Sequence, residues 1–398
     1  MSETALPNPT QSKKDEKNSR SSDIRQALLI PSLAVLTGLI IGAIVIAISG
    51  ANVFTAYGAL FTGSFGSPTE LVAGLRIFFS TGDTASLVKA IYPFTESLVT
   101  ATPYIFAGLS VALGFRCGLF NIGAEGQFFI GALCSAFVGY SITGLPAYIH
   151  LPLALLGGAA GGAVWGMIPG YLKARFGAHE VVNTIMMNWI AFRLSDWLLN
   201  GPMKASGFRP VTPNVQPTAE LPRFFADPLR FNWGFVLALV MAYVVYWLLF
   251  KTTIGFEIRS VGANPDASKY AGMNIIKNFV LVMALAGGLA GLAGSSQVLG
   301  VDHWVGQGFS AGYGFDAIAL ALLGKSHPFG VVLAALLFGF LRSGATDMQS
   351  MAGIPIDIIS IIQGLVIIFI AAPDIIRWLY RIRSLKVENT VLTRGWGK

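Results

Sequence analysis

Again and again this sequence stays apolar for as long as a lipid bilayer is thick. The first such run covers residues 27–49. It matches the ~20 residues a helix needs to cross hydrocarbon and exceeds the ~7–15 of a secretory signal. It is expected to be a membrane anchor, with Ser49, Gly50 and Ala51 leaving cleavage as the alternative. Further runs lie near 95–115, 119–142, 150–172, 180–200, 232–250, 278–300, 314–324, 328–346 and 356–372. Backbone polar groups in lipid must be satisfied within their own segment, so such runs form helices. The expected fold is all-α, a polytopic membrane helix bundle of about ten transmembrane helices, some broken or short. Residues 314–324 are too few to cross alone unless tilted, broken or extended.

Composition excludes other classes. Only 12% of the 398 residues are charged, against about 25% in soluble domains. With a mean hydropathy of +0.64, a soluble globular enzyme is ruled out. Cys117 and Cys134, both in apolar stretches, cannot form a disulfide scaffold, and four histidines argue against a multi-metal site. The net charge of +7 does not imply nucleic acid, because membrane proteins keep basic residues on the cytoplasmic side.

Three regions are expected: a disordered cytoplasmic tail over 1–26, a transmembrane domain over 27–375, and a basic cytoplasmic tail over 376–398. The first tail carries Lys13, Lys14, Lys17, Arg20 and Arg25, the last Arg377, Arg381, Arg383 and Lys386. With both termini inside, 19 of the 27 Lys and Arg fall on the cytoplasmic side. Of the other eight, Lys204, Arg209, Arg223 and Arg230 lie outside in the 201–231 loop, which makes that loop the exception. That loop has prolines at 202, 210, 213, 217, 222 and 228 and is expected to form an ordered outer cap. The other long outer segment, 51–94, holds a helix-like piece at 56–61, then Gly63, Gly66 and Pro68.

No catalytic set assembles. Gly324-Lys325-Ser326 resembles the end of a phosphate loop, but Ala319 stands where its first glycine belongs, and a helix-helix turn broken by His327–Pro328 explains it. His179–Glu180 lacks the second histidine of a zinc-protease helix, and no nucleophile elbow occurs. Neither catalysis, nor a bound metal, nor a cofactor is expected.

Small residues are better placed. Gly162, Gly166 and Gly170 recur every four residues, and Gly157/Gly161 and Gly287/Gly291 repeat the spacing. That puts them on shared helix faces and predicts close backbone packing.

Polar residues inside apolar spans are candidates for a substrate path. They are Asn121, Glu125 and Gln127 in one span, and Asn183, Thr184 and Asn188 in another. Asn121 and Glu125, four apart, are expected on one helical face. A carboxylate is too costly to face lipid, so it must turn to protein, water or substrate. The alternative is a buried Glu bonded to backbone amides and Asn, bracing a kink at Gly123/Gly126. The second group forms a polar face, with Glu180 and Met187, that should turn inward.

The 251–277 loop carries the strongest signal. Asn264 suits a helix N-cap, Pro265 the first helical position and Asp266 the first turn. Gly272 should end a helix of about two turns. A short capped helix between spans can dock into a partner's groove; the plain alternative is an ordered connector.

These residues carry a resemblance. Phe120-Asn-Ile-Gly-Ala-Glu-Gly-Gln127, Glu180-Val-Val-Asn-Thr-Ile-Met-Met-Asn188, Gly262-Ala-Asn-Pro-Asp-Ala-Ser-Lys-Tyr-Ala-Gly272, and Gly312-Tyr-Gly-Phe-Asp-Ala-Ile-Ala-Leu-Ala-Leu-Leu-Gly324 with His327-Pro-Phe-Gly330 are similar to segments of ABC importer permeases. The family is the branched-chain amino acid/ribose/simple-sugar permeases, and the likeness is greatest to its nucleoside branch. It covers roughly 27–375, with 66–93 less familiar. It implies about ten helices around a translocation path and a multi-pass cytoplasmic-membrane location. It also implies four kinds of neighbour: membrane lipid, a second and homologous permease subunit, an ABC ATP-binding subunit, and an extracellular or periplasmic substrate-binding lipoprotein. ATP would be bound by the partner. The segment Gly262, Asn264, Pro265, Asp266, Ala267, Lys269, Tyr270, Ala271 and Gly272 matches the family's ATPase coupling helix. Nucleosides are the expected cargo; simple sugars or branched-chain amino acids are the alternative, and a membrane enzyme or ion channel stands further off.

Overall fold

The computed structural model describes Leu29, residues 32–355 and residues 357–381. The expected tail over 1–26 lies outside the described residues, as do Arg383 and Lys386 of the C-terminal tail. The described chain divides into two compact units. The smaller holds α1 (Ser32–Ile48), α14 (Asp357–Ala371) and α15 (Pro373–Leu379). Within it the Thr37 and Tyr380 hydroxyls share a 2.9 Å hydrogen bond.

The larger unit contains α2 (Val53–Phe65), α3 (Pro68–Thr81), α4 (Ala85–Arg116), α5 (Ala124–Ser141), α6 (Ala147–Phe176) and α7 (Glu180–Asn200). It continues with α8 (Trp233–Lys251), α9 (Thr253–Ala263), α10 (Pro265–Tyr270), α11 (Ile275–Gln297), α12 (Tyr313–Leu323) and α13 (Pro328–Ala352). Among the described residues, α4, α6, α8, α11 with its extension to Asp302, and α13 are long and apolar enough to cross a membrane. α1 and α12 are shorter apolar helices. α7 occupies the expected 180–200 span but also carries Glu180, Asn183, Asn188, Arg193 and Asp196.

Backbone contact between α6, α11 and α5 builds the centre. A Cβ on Gly162 would land on the Gly287 carbonyl, one on Gly166 on the Met283 carbonyl, and one on Gly291 on the Gly158 carbonyl. Gly157 and Gly161 face Val138 and Cys134 of α5 instead, and Gly131 of α5 meets Gly291. The glycine spacing therefore does the packing work expected of it. Any larger residue would push the helices apart and forfeit dispersion contacts along the whole crossing.

Three expectations need correction. Residues 51–94 are helical through most of their length: Gly63 sits inside α2, Gly66 ends it, and Pro68 opens α3 in the position where its missing N–H costs nothing. α2 is part of the bundle, because small residues let it in. Gly344 of α13 abuts the Leu60 carbonyl, the Ser64 hydroxyl donates to the Phe340 carbonyl at 2.6 Å, and the Ser97 hydroxyl donates to the Ser64 carbonyl at 2.8 Å. α4 starts ten residues before the expected span and, at 32 residues, runs about 48 Å. The 119–142 span becomes helical only at Ala124. Asn121 lies in the preceding turn, so it shares no helical face with Glu125.

The proline-rich 201–231 segment is ordered, with a single short turn of helix at Pro217–Ala219. Its amides donate to the chain that follows α11: Thr212 to the Val305 carbonyl at 2.9 Å, Val215 to His303 at 2.8 Å and Leu221 to Leu299 at 2.8 Å. Val215, Ala219 and Leu221 join Leu133, Ala136, Val298 and Leu299 in one buried cluster. This cap covers one end of α11. The 251–277 connection leads into its other end, about 35 Å away.

Candidate functional site

Two helices begin inside the protein, and their starts touch. Gly314 in the first turn of α12 has no room for a Cβ, which would strike the backbone of Ala124 and Glu125. Helix N-termini carry unpaired amides and partial positive charge, so two of them in contact need an anion and acceptors. Glu125 supplies both. Its carboxylate lies in the first turn of α5 and accepts the Gly314 amide of α12 at 2.6 Å. The Ser310 hydroxyl and the Phe315 amide also bond to it.

The neighbouring amides complete the junction. The Gly126 amide donates to the Asn188 Oδ1 of α7 at 2.8 Å, and Asn188 Nδ2 donates to the Ile122 carbonyl at 3.0 Å. Asn121 accepts the Gly123 amide at 3.0 Å and exchanges two hydrogen bonds with Gln127, at 3.0 and 3.2 Å. Asn121, Glu125, Gln127 and Asn188 are all buried. The structure thus brings together four of the six polar candidates, with their polar atoms turned on the helix starts. Thr184, also buried, donates back to the Glu180 carbonyl at 2.8 Å. Asn183 keeps a buried Nδ2 with no hydrogen-bond partner. Glu180 pairs with Lys173 at 2.8 Å.

A second polar group at the start of α12 is one that sequence reasoning missed. The Tyr104 hydroxyl donates to Asp316 Oδ2 at 2.8 Å and accepts from Arg342 at 2.9 Å. Arg342 reaches the same carboxylate oxygen at 3.4 Å, donates to the Ala311 carbonyl at 2.9 Å, and lies 5.6 Å from the Tyr313 ring centre. Unlike Glu125, the pair is open: the Arg342 and Asp316 side chains are 34% and 28% exposed. One clue was available, since a lone Asp and a lone Arg in apolar spans call for partners. The 26-residue separation between them gave no register.

At the far end of α11 the 251–277 connection forms two helices, α9 and α10, where one was expected. α9 is held down: Gly262 presses on the Arg116 and Cys117 backbone, Arg259 lies 5.2 Å from the Phe250 ring centre, and Glu257 accepts from Asn278 at 3.0 Å. α10 is not. Ala267, Lys269, Tyr270, Ala271 and Gly272 are exposed, Tyr270 at 96%, and only Ser268 is buried. Its caps are as expected. Asn264 accepts the Ala267 amide at 3.0 Å, and Pro265 and Asp266 open the helix. The last helical residue is Tyr270, so the helix is a little shorter than predicted. Gly272 follows at φ +85, its amide donating to Lys269 and that of Met273 to Ser268, a pairing that closes a helix and favours glycine. A cleft of about 450 Å³ opens beside it, between Phe256 and Glu257 of α9 and Met273, Asn274 and Lys277. Lys325 and Ser326 adopt left-handed backbone in the turn after α12, and Arg116 binds both their carbonyls. The glycine–lysine–serine run is therefore a helix-helix turn.

Residues 94–371 match the family model described as the permease component of the branched-chain amino acid transport system. The chain belongs to this permease family. The permease is 40% identical to the guanosine ABC transporter permease protein NupP of Bacillus subtilis, over 88% of this chain and 95% of that one. It is 32% identical to the nucleoside ABC transporter permease protein NupB of Lactococcus lactis, over 92% and 97%. It is also 33% identical to the glucose ABC transporter permease protein TsgB13 of Haloferax volcanii, over 86% and 87%. No solved structure matches it. The family match takes in the α5–α12 junction, the Tyr104–Asp316–Arg342 group and α10 alike. A multi-pass membrane permease has no need of a catalytic set, and its candidate site is a set of helix starts, ion pairs and an exposed helix.

Proposed function

We propose that the protein is the permease subunit of an ABC importer that carries nucleosides across the cytoplasmic membrane. What carries this reading is the near full-length similarity to a guanosine and a nucleoside permease, at 40% and 32% identity. ATP is bound and hydrolysed by a partner ATP-binding subunit, and this chain is not itself an enzyme. α10 is the coupling helix: it is capped at both ends, exposed, and stands beside a cleft into which a partner's side chain can insert. Its face of Ala267, Ala271 and Tyr270 pairs two small residues with an aromatic anchor. A second permease and a substrate-binding lipoprotein complete the importer. A relative of the first kind is the guanosine permease protein NupQ of Bacillus subtilis, 29% identical to this chain over 66% of its length. Both termini lie in the cytoplasm, which puts α10 and the basic 251–277 segment on the same side. Asn121, Glu125, Gln127 and Asn188 frame the path by fixing where α5 and α12 begin, and Asn183 and Thr184 contribute to it from α7.

The glucose permease relative supports a second reading, in which the cargo is a simple sugar. The test is uptake of labelled guanosine, glucose, ribose and leucine by cells with and without the gene. Loss of guanosine uptake alone supports the nucleoside; loss of glucose uptake with guanosine intact replaces it.

A further inference from the structure

The exposed surface of α13 differs in character between its two sides. Phe329 and Leu333 are exposed and apolar, as a lipid-facing helix requires. On the opposite side Arg342, Thr346 and Gln349 line up by steps of four and three. Thr346 and Gln349 are exposed, and Arg342 is half-buried against Asp316 of α12.

Arg342 lies about 21 Å from the start of a helix about 37 Å long. Asp316 lies about 12 Å from the turn at Gly324, which binds Arg116 through its carbonyls. Both measures put the ion pair near mid-depth of the bundle. A charged group at that depth is too costly to leave against hydrocarbon. A face that carries one, and continues as Thr346 and Gln349, belongs against water or a polar solute.

We propose that this face of α12 and α13, from Ala311 through Asp316 and Arg342 to Thr346 and Gln349, is a wall of the translocation path. The Asp316–Arg342 pair is its contact with cargo. The chemistry suits a neutral sugar–base molecule. The pair sums to zero charge, so a free phosphate gains no net attraction. Its guanidinium donates and its carboxylate accepts, matching the mixed edges of a nucleobase or the hydroxyls of a ribose. Phe315, half-exposed beside Asp316, offers a ring on which a base can stack. The buried Tyr104 hydroxyl fixes the pair by bonding both members. This proposal rests on the nucleoside reading above for the identity of its cargo, but not for the position of the path.

The test uses the complete importer in proteoliposomes. Single cysteines replace Ala311, Thr346 and, as the lipid-side control, Leu333. A water-soluble thiol reagent is applied with and without saturating guanosine, and the unsubstituted chain, with Cys117 and Cys134, sets the background. Ala311→Cys and Thr346→Cys should react several-fold faster than Leu333→Cys, and guanosine should slow both several-fold. Asp316→Asn leaves the Arg342 cation unbalanced, so guanosine uptake should fall several-fold and guanosine monophosphate should begin to compete for what remains. Labelling no faster than at Leu333 in an importer that takes up guanosine overturns the path. Fast labelling that guanosine does not slow, in the same importer, overturns the contact with cargo. Fast labelling in an importer that takes up no guanosine supports the path and overturns the nucleoside reading instead.

Discussion

Glu125 of α5 bonds to the first turn of α12 and Asp316 belongs to that turn, yet the two carboxylates are held differently. Glu125 is 3% exposed and bonds to groups that cannot move away from it, the amides of a helix start. Asp316 is held by two long side chains, Tyr104 and Arg342, and keeps 28% of its own surface open. A backbone amide has one position once its helix forms, so a carboxylate spent on amides is a rivet. A guanidinium and a hydroxyl on separate helices can change partners without unfolding anything. Degree of burial and type of partner thus distinguish the two carboxylates more sharply than charge alone.

The largest effect expected is from Glu125→Ala. It strips the start of α12 of its acceptor, at about 1–3 kcal/mol, and both helix starts of the anion between them, at up to ~2 kcal/mol. The purified permease should melt several degrees lower, and uptake should fall with the amount of folded protein. Glu125→Gln keeps an oxygen for the Gly314 amide and should reach the membrane in normal amount with a smaller melting shift. If Glu125→Ala melted like the parent while uptake vanished, the two carboxylates would have to exchange roles.

Next comes Arg342→Gln. It removes the cation from Asp316 while keeping a polar side chain at a partly exposed position, so expression and melting should change little. Guanosine uptake per folded molecule should drop by about tenfold, the loss of ~1.4 kcal/mol of interaction. A melting shift as large as that of Glu125→Ala would make this pair a rivet too.

In the 251–277 connection the same contrast holds between α9, which is packed, and α10, which is exposed. Ala267→Glu puts a charge on the small-residue face of α10, and Gly272→Val puts a β-branched residue where φ is +85. Both should insert normally. Pull-down of the ATPase, substrate-stimulated ATP hydrolysis and uptake should fall together. Gly262→Val in α9 should instead reduce folded protein, because its Cβ would enter the Arg116 and Cys117 backbone.

The smallest effect expected is at His327, in the α12–α13 turn. Burial, and secondarily the Arg116 charge, push its pKa below 6.5. The unfolded chain then takes up a proton before the folded one does. Stability from this site is full above about pH 6.5 and declines as pH falls from there towards the lower folded value. His327→Gln should flatten the acid side of the melting-temperature profile slightly, and an unchanged profile would place the titrating group elsewhere.

Local and periodic features were legible in the residues. The 180–200 span coincides with α7, Asn264 and Pro265 open a helix where their chemistry requires one, and the four-residue glycine spacing marks the α6–α11 crossing. Residues 51–81 were harder, because Gly63, Gly66 and Pro68 are the same residues whether they break a loop or delimit two helices. The polar candidates were found by type and misjudged in geometry. Asn121 reaches its neighbours from a turn, and its partner is Gln127.

What the sequence determined by itself is a membrane bundle, its glycine crossing and its capped exposed helix. Each follows from interactions within a few residues, or from solvent acting on one segment at a time. Which charge meets which amide was decided only by tertiary structure. Glu125 and Gly314 are 189 residues apart, and Tyr104 and Arg342 238. Their meeting depends on how deep α5, α12 and α13 sit against α4 and α11. That depth is set by the sum of many glycine and side-chain contacts, and no single stretch of the chain contains it.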